Sequence, residues 1–558
     1  MEEHAAAEGG RAYIHDPAIT KEGERYYIFG THRRFASSSD LVHWEPLENN
    51  ITRDYEAMFA KLWQAWPKQE SNPSIAGNMW APDVIWNPVM GKWCMYMSVN
   101  GDQYRSLIAL LTADHLDGDW ELVGPVIYSG FEPTNVERTD VPRVLGAGAD
   151  LQRYQSLSDT RINAIDAGLE FDERGQLWMN FGSWFGGCWM IRLDPATGLR
   201  DYKQSYESVP DVSDAYYGIK LAGGYWNSGE GTYLLHYGDW WYLFLSYGWL
   251  GRTGGYQIRI FRSRSITGPY LDQDGNPAVS TAKMEANWAS ATGIRLLSTY
   301  RWAAGPREAA GVEISQGHNS AFIDEDGSAF IVYHTRFAGL GEDDYRTEIR
   351  QLLPTADGWL TAAPFTYQGV RAGVESDAVR IRESDIAGDW EIVVHRPETF
   401  FDDGRDEAKN QPGVGLEAAQ GINQALKAQV GSNGRFVIET EQGSEEGLWR
   451  GESESTVNES EVKESTEGNA ESKAAGNTEN KAEDSKAESS AEGSKRADSE
   501  STEGSPRTQG NMAQICINFR GISYHTCLAS LPDEASAQPH LTLSGIGNNQ
   551  SLWAAKLS

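Results

Sequence analysis

Glu230 lies between two glycines, in Trp226-Asn-Ser-Gly-Glu-Gly-Thr-Tyr233, at the mouth of the aromatic, β-prone run Leu234-Leu-His-Tyr-Gly-Asp-Trp-Trp-Tyr-Leu-Phe-Leu-Ser246. Glycine on both sides lets the backbone turn tightly and bares the carboxylate. A carboxyl group in apolar surroundings is pushed up in pKa and can donate a proton near neutral pH. The alternative is a turn glutamate facing water, and only partners from elsewhere in the chain separate the two. Three residues are candidates: Asp16 in His15-Asp-Pro17, Asp166 in Asn163-Ala-Ile-Asp166, and His318 in Gly317-His-Asn319. Singly, each has a plainer reading: a turn before Pro17, a turn before Gly168, and a core histidine.

Internal repetition supplies the elements that would bring them together. An opening segment, a polar turn and an aromatic strand recur from Asp16, from Asp83 in Trp80-Ala-Pro-Asp83, from Asp166, from Glu230 and from His318. Each unit is a small antiparallel sheet that cannot bury both faces alone. Five arranged radially bury one another, which predicts an all-β, five-bladed propeller over residues 11–350 with first strands lining an axial channel. The opening residues then converge on the axis. An array of β-sandwiches is the competing fold.

From about Leu352 the pattern changes to short strands without a further opening segment, so a small C-terminal β-sandwich or barrel domain is expected over 351–558. Residues 451–510 interrupt it. They contain no Phe, Tyr, Trp, Leu or Ile and carry 15 acidic and 7 basic residues. Such a stretch cannot bury enough apolar area to offset chain entropy and is expected to be disordered.

Composition narrows the function further. A formal charge of −32 over 558 residues argues against nucleic acid and anionic membranes as partners. No apolar run is long enough to span a bilayer. The N-terminus has no apolar h-region, so it is not a signal peptide; the chain as it stands reads as cytoplasmic, or as secreted if its N-terminus has been trimmed. Cys94 and Cys188 sit in apolar strands as buried thiols, whereas Cys516 and Cys527, in a hairpin, could be bridged or free.

His15-Asp-Pro17, Trp80-Ala-Pro-Asp83, Asn163-Ala-Ile-Asp166, Ser228-Gly-Glu-Gly231 and Gly317-His-Asn319, one per repeat and in this order, resemble glycoside hydrolase family 43. Phe181-Gly-Ser-Trp-Phe-Gly-Gly187 and Ser551-Leu-Trp-Ala-Ala-Lys556 are similar to stretches of its endo-α-1,5-L-arabinanases with an extra C-terminal β domain. The resemblance covers roughly residues 11–440 and 511–558. It implies an inverting hydrolase of internal bonds in arabinan or arabino-oligosaccharides, with Asp16 as general base, Glu230 as general acid and Asp166 raising and orienting Glu230. Inversion needs the two carboxyls about 6.5–9.5 Å apart, with a water between.

The resemblance also implies that His318 helps to hold a calcium ion near the channel centre, although calcium prefers oxygen. Phe35, Trp80 and Trp184 are candidate sugar platforms, and Asn163 and Ser183 candidate partners of sugar hydroxyls; their plainer readings are blade packing and turn chemistry. A monomer is expected. Within the same chemistry, an exo-acting α-L-arabinofuranosidase or β-xylosidase is the alternative. A non-catalytic carbohydrate-binding propeller would have lost at least one carboxylate, and all three are present.

Overall fold

The computed structural model describes residues 6–66, 79–99, 104–156, 160–227, 229–253, 255–284, 292–303, 311–338, 340, 345–373, 381, 383–396, 402, 420–440, 443–451 and 512–557. The chain is all-β with few helices and a propeller-like arrangement of antiparallel sheets. The first sheet is Ala18–Glu22, Arg25–Gly30, Arg34–Ser38 and Trp44–Pro46. The second is Met79–Asn87, Lys92–Val99, Leu107–Ala113 and Glu121–Tyr128. Gly168–Phe171, Leu177–Phe181, Cys188–Leu193 and Gly218–Ala222 make the third, with Ser213–Asp214 at its edge. Glu230–Tyr237, Trp240–Tyr247, Gln257–Ser263 and Ile294–Leu297 follow, and then Glu313–Ile323, Ala329–Phe337, Tyr345–Pro354 and Leu360–Ala362.

The opening strands touch in closed order, each meeting the next and Glu313–Ile323 returning to Ala18–Glu22. The residues that precede or begin them therefore face one centre. Lys92–Val99 and Leu107–Ala113 are buried almost throughout. They read as unbroken apolar runs because a strand between two neighbouring sheets has no wet face. Closure is sealed by polar contacts between the first and last of these sheets. Asp324 accepts from Lys21 Nζ at 2.9 Å, Tyr26 Oη at 2.5 Å and Arg371 Nη2 at 2.6 Å. Thr347 Oγ1 accepts from the Ile14 N–H and donates to the Ile14 carbonyl, both at 2.9 Å.

Strand Tyr345–Pro354 runs across residue 350, and Leu360–Ala362 pairs with it. The boundary expected at 350/351 thus falls inside a strand, and the last of these sheets ends at Ala362. Among the described residues C-terminal to it, eight strands close on themselves. Gln550–Lys556 pairs with both Gly388–His395 and Pro539–Gly547, and Leu426–Val430, Arg435–Thr440, Gly443–Gly451, Met512–Phe519 and Ile522–Pro532 complete the circuit. The same closing strand meets Ile294–Leu297 in parallel at Arg295 and Gln550, so the two halves share hydrogen bonds. The acidic low-complexity stretch, apart from Gly451, lies outside the described residues. It joins two strands that pair directly, Gly451 facing Ile515, a position where a long insertion costs little.

All four cysteines are buried. Cys516 faces His525 and Cys527 faces Gln514 across the hairpin, so the register does not join the two thiols. Phe35 also departs from expectation. It is fully buried, edge-on to Phe29 at 4.9 Å, and belongs to the core rather than to a sugar platform. Among the described residues no helix is long and apolar enough to cross a membrane.

Asp83 binds the second sheet to the third through the Leu169 N–H, 2.7 Å from Oδ2. Its Oδ1 is buried without a partner, and burial pushes the carboxyl up to about 8. Between the ordinary carboxylate range and that value the unfolded chain has lost this proton while the folded chain keeps it, so stability falls as pH rises. Asp83→Asn keeps an oxygen for Leu169. It is expected to flatten the decline of Tm between about pH 5 and 8; parallel slopes for variant and wild type would contradict this.

Candidate active site

Asp16, Asp166 and His318 hold φ angles of 53°, 59° and 44°. Left-handed backbone costs a non-glycine residue roughly 1–2 kcal/mol, and its recurrence at three converging positions marks the centre as a site rather than as packing. Glu230 starts its strand between Gly229 and Gly231, which absorb the positive φ there. A Cβ on Gly231 would stand 3.0 Å from His318 Cγ. At Gly317 a Cβ would stand 1.7 Å from Tyr256 Cε1, so only glycine leaves room for Tyr256 to reach the centre.

Three side chains fix Glu230. Tyr256 Oη donates to Oε1 at 2.8 Å, and Ser183 Oγ and Trp184 Nε1 donate to Oε2, each at 3.0 Å. Burial nevertheless holds the Glu230 carboxyl above the ordinary range; His318 and the Tyr256 hydrogen bond pull it down, and the charge of Asp16 pushes it up. Asp166 is held well above that range by burial first and then by the charges of Glu230 and Asp16. It accepts the Gly231 N–H at 3.2 Å and so steadies Glu230 through the backbone rather than through its side chain.

Asp16 behaves in the opposite way. Burial alone would raise it, but His15 and His318 outweigh burial and carry it well below the ordinary range. The Nδ1 atoms of His15 and His318 lie 2.8 and 3.1 Å from Oδ1, and Thr31 Oγ1 donates to Oδ2 at 2.5 Å. His334, stacked on His15 at 3.7 Å, is kept neutral by burial and by its neighbour, and its Nδ1 accepts the Asp16 N–H at 3.3 Å. The centre therefore sets Asp16 below the ordinary carboxylate range and Glu230 and Asp166 above it. That division of labour suits concerted general acid and base catalysis.

Of the expected residues, Asp16, Asp166, Glu230 and His318 meet here. Ser183 and Trp184, expected to touch sugar, point their donors at Glu230. Asn163 is buried and its Oδ1 accepts from the Ser106 hydroxyl. Trp80 is half-buried opposite Ser98, whose Oγ accepts the Asp166 N–H at 3.1 Å. Sequence reasoning missed Tyr256, Thr31, His15 and His334. The pattern His15-Asp-Pro17 carried a signal for the third; His334, inside an apolar strand, carried none.

Metal-ligating atoms of His15, Asp16 and His334 lie within 4.8 Å of one another. Beside His318, the amide groups of Gln316 and Asn319 are buried with no hydrogen-bond partner, as is His334 Nε2.

The Glycosyl hydrolases family 43 sequence model matches residues 11–142 and 150–360, more than half of the chain. An extracellular endo-α-(1→5)-L-arabinanase of Thermotoga petrophila is 32% identical over 445 residues, 78% of this chain and 82% of that protein. An extracellular exo-α-(1→5)-L-arabinofuranosidase of Cellvibrio japonicus is 28% identical over 62% of this chain and 85% of that protein. The solved structure of the Thermotoga petrophila endo-1,5-α-L-arabinanase with TRIS superposes with a TM-score of 0.69 at 25% identity, over 98% of this chain and 99% of that one. With its clustered carboxyls carried on the very segments that the family model spans, this chain belongs to glycosyl hydrolase family 43.

Proposed function

We propose that the protein is an endo-acting, inverting hydrolase of α-1,5-linked arabinan, built as a five-bladed propeller followed by a closed β-barrel. The observation that carries this reading is the contrast between Asp16, held below the ordinary carboxylate range by His15 and His318, and Glu230, held above it by burial, at the meeting point of the opening strands. Asp16 draws a proton from a water, which attacks the anomeric carbon from one side of the sugar ring. Glu230 protonates the departing oxygen from the other side. Tyr256, Ser183 and Trp184 aim Glu230, and Asp166 positions it through Gly231. Endo action is favoured by the similarity to the Thermotoga petrophila enzyme over most of both chains. On debranched arabinan, oligosaccharides are expected in the first minutes of reaction; arabinose alone would assign the chain to exo action.

A calcium ion at the centre fits the residues in one form. Calcium takes six to eight oxygens, whereas the side chains clustered here are mostly imidazoles around one carboxylate. A hydrated ion held by His318 would suit this donor set, and its water shell would suit the unpartnered amides of the chain neighbours Gln316 and Asn319. Its charge would help to keep Asp16 ionised. His318→Ala is expected to abolish the Tm increase that added calcium gives the wild type; an equal increase in both proteins would remove the ion from His318.

A further inference from the structure

The loops beside Glu230 carry aromatic side chains that the chemistry above does not use. Phe185 and Trp226 both stand in left-handed backbone, with φ of 42° and 61°. The two loops are knitted together: the Trp226 N–H donates to the Phe185 carbonyl and the Trp184 N–H to that of Gly229, each at 2.9 Å. Trp184 is left-handed as well, with φ of 47°, and its indole N–H reaches Glu230. Strain at Phe185 and Trp226 brings two rings edge to face instead, at 4.4 Å and 90°. Tyr104 backs Phe185 at 4.5 Å, and the Arg161 guanidinium covers Tyr104 at 3.9 Å. Trp226 is thus clamped along an edge, yet 40% of its surface stays exposed. A rigid, wet aromatic ring beside a carboxyl that donates a proton is suited to stacking on the C–H face of a sugar.

Position tells which sugar. In an inverting pair the base and its water lie across the ring from the leaving group, and the acid contacts the leaving oxygen. The Phe185 and Trp226 loops flank Glu230, whereas Asp16 is enclosed by His15, His318 and His334. We propose that Phe185 and Trp226, buttressed by Tyr104 and Arg161, form the platform for the leaving part of the chain, the arabinosyl units on the reducing-end side of the cleaved bond. This rests on the arabinan-cleaving role assigned to Glu230 above. A platform there rewards substrates that extend past the scissile bond and so favours internal cleavage.

The test compares kcat/KM on arabinohexaose with kcat/KM on the 4-nitrophenyl glycoside of arabinotriose, whose leaving group contains no sugar. For Trp226→Ala the ratio of the two is expected to fall at least tenfold from the wild-type value, and Trp226→Tyr, which keeps a ring, is expected to recover most of it. The pH profile on the nitrophenyl substrate is expected to keep its wild-type limbs, because Glu230 is untouched. An unchanged ratio, or parallel losses on both substrates with a shifted alkaline limb, would overturn the platform and leave Trp226 as a prop for Glu230. Wild-type enzyme that cleaves neither substrate would instead overturn the functional reading, and the platform's ligand with it.

Discussion

Glu230→Gln is expected to lower kcat on arabinan by about 10³-fold, within the range that general acid catalysis contributes, with KM nearly unchanged. The substitution suits the pocket. A glutamine can turn its oxygen toward Ser183 and Trp184, both donors to Oε2, and its amide N–H toward the Tyr256 oxygen. The loss therefore reports the missing proton rather than a collapsed loop. The wild-type pH profile has its sign fixed by the same groups. Activity is expected to fall on the acid side as Asp16 gains a proton, below the ordinary carboxylate range, and on the alkaline side as Glu230 loses one, above it. Glu230→Gln should abolish the alkaline limb. Near-normal kcat in this variant would assign the acid to another residue.

Arg350→Ala is expected to be the most damaging change for stability. Arg350 Nη2 lies 2.7 Å from Glu313 Oε2, and both side chains are fully buried. Tyr300 and Tyr333 donate to the same carboxylate at 2.9 and 2.7 Å, and Trp553 of the final strand lies under the guanidinium at 4.9 Å. The cluster thus locks the sheet that closes the ring to the closing strand of the C-terminal half. Removing one partner of a buried pair strands the other charge and costs about 3–5 kcal/mol. Replacing both, as Glu313→Gln with Arg350→Met, removes the stranded charge and is expected to cost much less. Thermal melting of the single and double variants checks this; a double variant no better than Arg350→Ala would contradict the electrostatic account.

The central residues were legible because the chain repeats. Asp16, Asp166, Glu230 and His318 occupy equivalent openings, so predicting that the opening strands line one channel also predicts that the four meet. Residues contributed by other parts of the sheets carried no such mark. Tyr256 comes from the segment before a third strand, and its access depends on the absent side chain of Gly317, a dependence visible only in three dimensions. His334 sits in Ala329–Phe337, buried along its whole length, where an imidazole looks like core. Phe35 was misread for the converse reason. In a strand covered on both faces, aromatic residues serve packing, and alternation no longer separates wet from dry. For Ser183 and Trp184, spacing locates the loop and does not say that their donors point at Glu230. The hairpin cysteines show the same limit: their spacing admits a bridge, and the strand register excludes it.

The opposed roles of Asp16 and Glu230 are tested most directly by the configuration of the freshly released sugar end, followed by proton NMR before mutarotation. Attack by a water that Asp16 activates, across the ring from Glu230, makes the β-anomer the first product from an α-linked chain. An α-anomer formed first would require a covalent intermediate, and would contradict the assignment of Asp16 as a base.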